Sequence, residues 1–165
     1  MKNRAKPFAL VALLTATAVA TAQPARADDS LILPAGLGCA NFDLQLQSSG
    51  GNLQTKDFYD RDGSKVRTIT AGKGVLLTYT NLANRRSISF NTSGSVSKTT
   101  YNADGSFTVS ASGHNGLILF PTDVPAGPTT TQYIGTIVYT VDPATGVFTL
   151  TSTSGQAVDV CAVLG

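Results

Sequence analysis

An all-β domain is what this sequence predicts, and three observations carry the prediction. No glutamate occurs anywhere, and Thr, Ser and Gly dominate, residues that suit strands and turns better than helices. Apolar residues recur at every second position, and no window sustains the i, i+3, i+4, i+7 repeat of an amphipathic helix. Short Asx- and Gly-containing stretches separate the alternating runs at regular spacing. Short reversals join sequence neighbours in space, so the expected architecture is a single-domain antiparallel meander. Few connections are long enough for Greek-key crossings. The expectation is therefore an up-and-down barrel or clam, with a two-layer β-sandwich as the alternative.

The elements follow in order. Ala40, Phe42, Leu44 and Leu46 alternate with Asn41, Asp43, Gln45 and Gln47, a strand with one dry face. Ser48–Gly51 turns it into a strand over Leu53–Tyr59. Asp60–Gly63 reverses the chain into Lys65–Thr70, and Ala71–Gly74 reverses it again into Val75–Thr80. Arg86–Thr92 and Val96–Tyr101 flank a reversal that begins at Ser93–Gly94. Asn102–Gly105 leads to Phe107–Ala111. Leu117–Phe120 is apolar without alternation, so it is expected to be covered on both faces. A proline-rich loop, Asp123–Pro128, precedes a long strand over Gln132–Val141. Asp142–Gly146 turns that strand into Val147–Thr153. Ser154–Gly155 is expected to break it, and Gln156–Val163 is a last strand or a short helix. Tyr59–Gly63, Tyr101–Gly105 and Val141–Gly146 resemble one another. In the first two, an Asx residue opens the turn and a glycine that accepts φ > 0 closes it.

Residues 1–27 read as a secretory leader. Lys2, Arg4 and Lys6 precede an apolar run over Phe8–Ala22, which is shorter than the roughly 20 residues that span a bilayer. Ala25-Arg26-Ala27 places small residues at the cleavage site, with Ala20-Thr21-Ala22 as the second choice. Residues 28–165 then form the exported β-domain. Four of the twelve basic residues (Lys2, Arg4, Lys6 and Arg26) leave with the leader, so eight face ten acidic residues, all aspartate. A net charge of this sign gives a nucleic-acid partner no bulk support. Every remaining Lys and Arg lies between Lys56 and Lys98, a basic segment that fits a solvent face or weak contact with an anionic wall polymer.

Two cysteines, Cys39 and Cys161, stand near the ends of the domain. An even count in an exported chain reads as a disulfide. Lipidation of Cys39 is the alternative, but it would strand Cys161.

The chemistry-bearing sets are sparse. Asp60-Arg61-Asp62-Gly63-Ser64 opens like a calcium loop, but Ala71 occupies the twelfth position, where a bidentate Glu is needed. One histidine, His114, with two paired cysteines does not make a zinc site, so no metal or cofactor is expected. Asp123 is the natural carboxylate partner of His114, yet the two flank opposite ends of a strand. Asp57, Asp60 and Asp62 cluster at a turn and read as solvated rather than as paired glycosidase carboxylates. There is no Trp, and Tyr59, Tyr79, Tyr101, Tyr133 and Tyr139 are expected to pack within strands. Asn91-Thr92-Ser93 fits a glycosylation triplet.

Leu33–Cys39 (LPAGLGC), Arg67–Gly74 (RTITAGKG), and Gly113–Pro128 followed by Tyr133–Asp142 together resemble small exported proteins of high-GC Gram-positive bacteria. The resemblance covers most of the chain after the leader. It implies export and an all-β domain, and it brings no activity, ligand or catalytic residue with it.

The expected function is that of a secreted, non-enzymatic domain that binds outside the cell, to an extracellular protein or a cell-wall polymer. A barrel carrier of a small apolar ligand, lined by Leu77, Tyr79, Phe90, Phe107 and Val109, is the second expectation. A hydrolase working through His114 is the third. The expected binding loop is Asp123, Val124, Pro125, Ala126, Gly127 and Pro128, because a preorganised loop binds at lower entropic cost.

Overall fold

The structure is a computed structural model that describes residues 30–165, and the leader expected over residues 1–27 lies outside the described residues. The described chain is nearly all β, in two antiparallel sheets. The first sheet has the order β1 (Ser30–Leu33), β2 (Leu44–Ser49), β5 (Leu76–Asn81) and β6 (Ser87–Asn91). The second has the order β10 (Phe148–Asp159), β9 (Thr129–Val141), β8 (Phe107–Leu119), β7 (Val96–Tyr101), β4 (Lys65–Lys73) and β3 (Asn52–Tyr59). A short helix, α1 (Val160–Leu164), closes the chain.

The expected all-β class is observed in its alternative form: the up-and-down barrel is not closed, and two sheets consistent with a β-sandwich stand in its place. The reason lies in the short reversals. Gly50-Gly51 ends β2 and sends the chain into the other sheet instead of pairing β2 with β3. As a result β2 pairs with β5, and β4 pairs with β7. Each sheet keeps free edges.

The Asp60 turn is capped by its opening residue as its sequence requires, whereas the Asn102 turn is capped from within by Asp104. The Asp60 carboxylate accepts the Asp62 and Ser64 amides, and the Asp104 carboxylate accepts the Ser106 amide. The Asp142 carboxylate accepts the Ala144 amide. The Asp60–Ser64 stretch is thus a hairpin turn between β3 and β4. The break expected at Ser154–Gly155 is absent, since β10 runs unbroken through Gly155, and the strands expected over 107–111 and 117–120 are one strand, β8, that runs unbroken through Gly113.

Those two glycines pair in register with Gly135 of β9, so one row of the sheet is Gly113–Gly135–Gly155. All three have positive φ, at 98°, 153° and 88°. The sheet folds over along this row. From Thr129 to Val141 a straight strand would run about 40 Å. Yet Val124, only five residues beyond Leu119 at the same hairpin tip, donates its amide to Phe148 beside Val141, at 2.8 Å. The tip of the β8–β9 hairpin has therefore come round to the free edge of β10.

The fold creates two cores on opposite faces of β8 and β9. On the inner face, Val109, Ala111 and Ile137 from above the glycine row meet Leu117 and Leu119 from below it. On the other face, the first sheet brings Leu44 and Tyr79 against Val160 and Leu164 of α1. The Tyr79 hydroxyl donates to Gln132 Oε1 at 3.0 Å, and the Thr130 hydroxyl donates to the Gly38 carbonyl at 2.8 Å. Leu117 and Leu119 are buried in the inner core, whereas Ile118 and Phe120 on the other face are only half buried, so the expected cover on both faces is partial. Leu77, Tyr79 and Phe90 belong to one core, and Phe107 and Val109 to the other, so they do not line a common barrel interior.

Candidate functional site

Cys39 and Cys161 form the expected disulfide, with Cα atoms 5.5 Å apart and Cys39 fully buried. It ties the segment after β1 to α1. Beside it lies an open cavity of about 510 Å³ lined by Cys39, Phe42, Asn81, Pro128, Asp159 and Cys161. The Asp159 carboxylate is committed to the Ala162 amide as the helix cap.

Within the expected binding loop the residues divide. Asp123 is 4% exposed, and its two carboxylate oxygens accept the Phe120 amide at 2.6 Å and the Phe148 amide at 2.9 Å. It latches the hairpin tip to β10. Val124 makes the bridge to Thr149, with its side chain half exposed. Pro125 and Ala126 are exposed. A side chain at Gly127 would run into the Leu119 carbonyl, and Pro128 reaches the disulfide cavity. The Val124–Pro125 and Gly127–Pro128 bonds are cis. Architecture accounts for Asp123, Val124 and Gly127.

His114 sits just past the fold in β8, where β7 has already ended. The Ser95 hydroxyl replaces the missing strand there: it accepts the His114 amide and donates to the His114 carbonyl, both at 2.8 Å. His114 borders a small cleft, and its Nδ1 is buried without a hydrogen-bond partner. Asp123 does not orient it, since both Asp123 oxygens are held by main-chain amides.

The basic segment becomes a patch through strand register. Phe58 pairs with Arg67, and Ile69 pairs with both Lys56 and Lys98. Direct partners share a face, as do residues two apart on one strand, so Lys56, Phe58, Arg67 and Lys98 stand on one face of β3, β4 and β7. The Arg67 guanidinium lies 4.5 Å from the Phe58 ring centre, and the Lys56 ammonium 5.3 Å from it. Lys56 and Lys98 are exposed, and Phe58 and Arg67 are half buried. Among the described residues the one ion pair is Lys65–Asp57, on the opposite face, so these three cations have no acidic partner.

That opposite face is paved with hydroxyls. Thr55 bonds to Thr70 at 3.1 Å, and Thr68 bonds to Asp57 and, at 3.2 Å, to the Tyr101 hydroxyl. The Thr68 hydroxyl, opposed by slight desolvation and aided by Lys65, holds the Asp57 carboxyl below its ordinary range. Tyr59 and Tyr101 are 60% and 37% exposed, so these two tyrosines do not pack away as the sequence suggested. Tyr79 does, and burial pushes its phenol up.

Comparison with family models, curated proteins and solved structures gives no match, so the functional reading rests on this chemistry. Among the described residues no helix is long and apolar enough to cross a membrane, and no group of three or more His, Cys or Asp side chains is placed to hold a metal ion.

Proposed function

We propose that this chain is an extracellular, non-enzymatic binding domain whose cationic face engages an anionic wall polymer. The observation that carries the reading is the unpaired cluster of Lys56, Arg67 and Lys98 around Phe58. Arg67 stacked on an aromatic ring is preorganised, and its fork suits phosphate oxygens. Lys56 and Lys98 flank Ile69 from the two neighbouring strands, about 10 Å apart across the sheet, and Arg67 lies on the diagonal about 8 Å from each, a triangle of cations that can meet successive charges of a polyanion. The leader-like residues 1–27 and the disulfide support a location outside the cell. The main-chain commitment of Asp123 supports a binding role over a hydrolytic one.

Poly(glycerol phosphate) is the probe. Titration at low and moderate salt should show binding that weakens as salt rises. The triple variant Lys56→Gln, Arg67→Gln, Lys98→Gln should lose on the order of a hundredfold in affinity, taking about 1 kcal/mol per phosphate contact. Undiminished binding by that variant would refute the proposal. So would an equal affinity of the unmodified protein for duplex DNA, which would reduce the patch to non-specific charge.

A further inference from the structure

We infer that the opposite face of the same strands, together with the cleft at its lower end, is a second binding site that accepts a neutral sugar residue of a glycan. Successive residues of a strand point to opposite sides, so this face is separate from the cationic one. The cleft has a volume of about 190 Å³ and lies between Leu53, Thr70 and Ser97 on one side and His114 and Asn115 on the other. That is about the space of six bulk waters, enough for one sugar ring and too small for a larger ligand.

Three features choose the ligand class. No Lys, Arg or Asp lines the cleft, so it offers no counter-charge to a phosphate, a carboxylate or an amino acid. Asp57 and Lys65, farther along the face, neutralise one another at 3.5 Å. Asn115 shares the face of Ala111 and Ser97 by strand alternation, and its Nδ2 is buried without a partner. Such a group costs about 1–3 kcal/mol, and a rotation of the Asn115 side chain toward the cleft would offer it to a ligand hydroxyl, which both donates and accepts. Leu53 is 53% exposed at the rim and gives the C–H face of a pyranose ring an apolar surface to rest on. Above the cleft the face continues through Thr55, Thr70 and Thr68 to the exposed ring of Tyr101, a path of hydroxyls for the next residues of the glycan.

The test uses the oxidised protein and three probes: glucose, galactose and N-acetylglucosamine. Each is titrated to on the order of 50 mM, since a single-ring site is expected to bind in the millimolar range. The side-chain amide signals of Asn115 should shift saturably with at least one probe. Asn115→Leu and, separately, Ser97→Val should each weaken that response by about tenfold, the loss expected for one unreplaced hydrogen bond. Asn115→Leu should not lower the melting temperature, because it removes an unpartnered amide; Ser97→Val serves should that variant fold poorly. The Lys56, Arg67, Lys98 triple variant should keep the sugar response, which separates this site from the polyanion face. Absence of a saturable shift with all three sugars would overturn the inference, as would an unchanged response in both variants.

Discussion

One face of the six-stranded sheet is a core at one end and an open polar surface at the other, and the residues change within a single row. Reading across the strands, Tyr139 and Val109 are in register with Thr99, Thr68 and Asp57. One row away, Ile137 and Ala111 are in register with Ser97, Thr70 and Thr55. Val109, Ala111 and Ile137 are buried, while Thr68, Thr70, Ser97 and Thr99 are half buried and Thr55 and Asp57 are exposed. Backbone geometry is the same in both halves. The difference is what lies above them: at the β8–β10 end the sheet folds along its glycine row and covers itself. A face is apolar where the sheet returns over it and hydroxyl-bearing where it does not, which leaves polar groups free for a ligand.

The sharpest way to break this contrast is to stop the fold. Gly135 has φ near 153°, and a Cβ there would run into the Ser154 carbonyl. Gly135→Ala should destabilise by at least about 3 kcal/mol in urea titration, or prevent folding. Gly146, in the β9–β10 turn, also has positive φ at 73°, but its Cβ would meet open space. Gly146→Ala should cost only about 1–2 kcal/mol. Equal losses at the two positions would mean that the glycine row is ordinary turn chemistry and not a fold line.

The next effect tests whether the fold is held shut. Asp123→Ala would leave the Phe120 and Phe148 amides without their partner in a buried setting. The expected loss is about 2–3 kcal/mol, because one side chain serves two charge-assisted bonds. Hydrogen exchange should quicken at Phe120 and Phe148 and along β10, and stay slow in β3 and β4. Uniform quickening across the whole sheet would show that the latch does not act locally.

Much of the local structure was legible in the residues, and the long-range arrangement was not. Leu44 and Leu46, and Leu77 and Tyr79, announce their inner faces by alternation, and the Asx turns announce theirs by capping chemistry. The cysteine pair follows from parity and export. Gly113 and Gly155 were misleading because a positive-φ glycine within a strand and one in a turn look alike in sequence. Only their register with Gly135 distinguishes a fold line from a strand end. The jump between sheets after Ser49 was hidden for a related reason, since two glycines reverse a chain without saying which partner it meets. At the candidate sites, the basic bias of Lys56 to Lys98 was visible, but the convergence of Lys56, Arg67 and Lys98 on one face needs the β3–β4–β7 register. In sequence Asp123 looks like its exposed loop neighbours, yet it is buried, and buried carboxylates that cap main-chain amides are common where a loop must be fastened.

The smallest effect tests the open half itself. If the Asp57–Thr68–Tyr101 hydroxyls form a solvated, ligand-ready surface, removing one of them should change a proton equilibrium while leaving stability nearly untouched. Thr68→Val deletes the hydroxyl that is the first cause of the lowered Asp57 pKa. The carboxyl should then titrate closer to the ordinary aspartate range, followed by its side-chain carbon signal in NMR. A carboxylate whose folded-state value is depressed contributes stability above its unfolded value, and that contribution is lost as pH falls through the folded value. The wild-type protein should therefore keep this contribution to a lower pH than Thr68→Val does. At neutral pH the two proteins should differ by no more than about 0.5 kcal/mol, as expected for a surface hydroxyl. A large loss at neutral pH would place Thr68 in a packed interior, and the open half of the face would then be a second arm of the core.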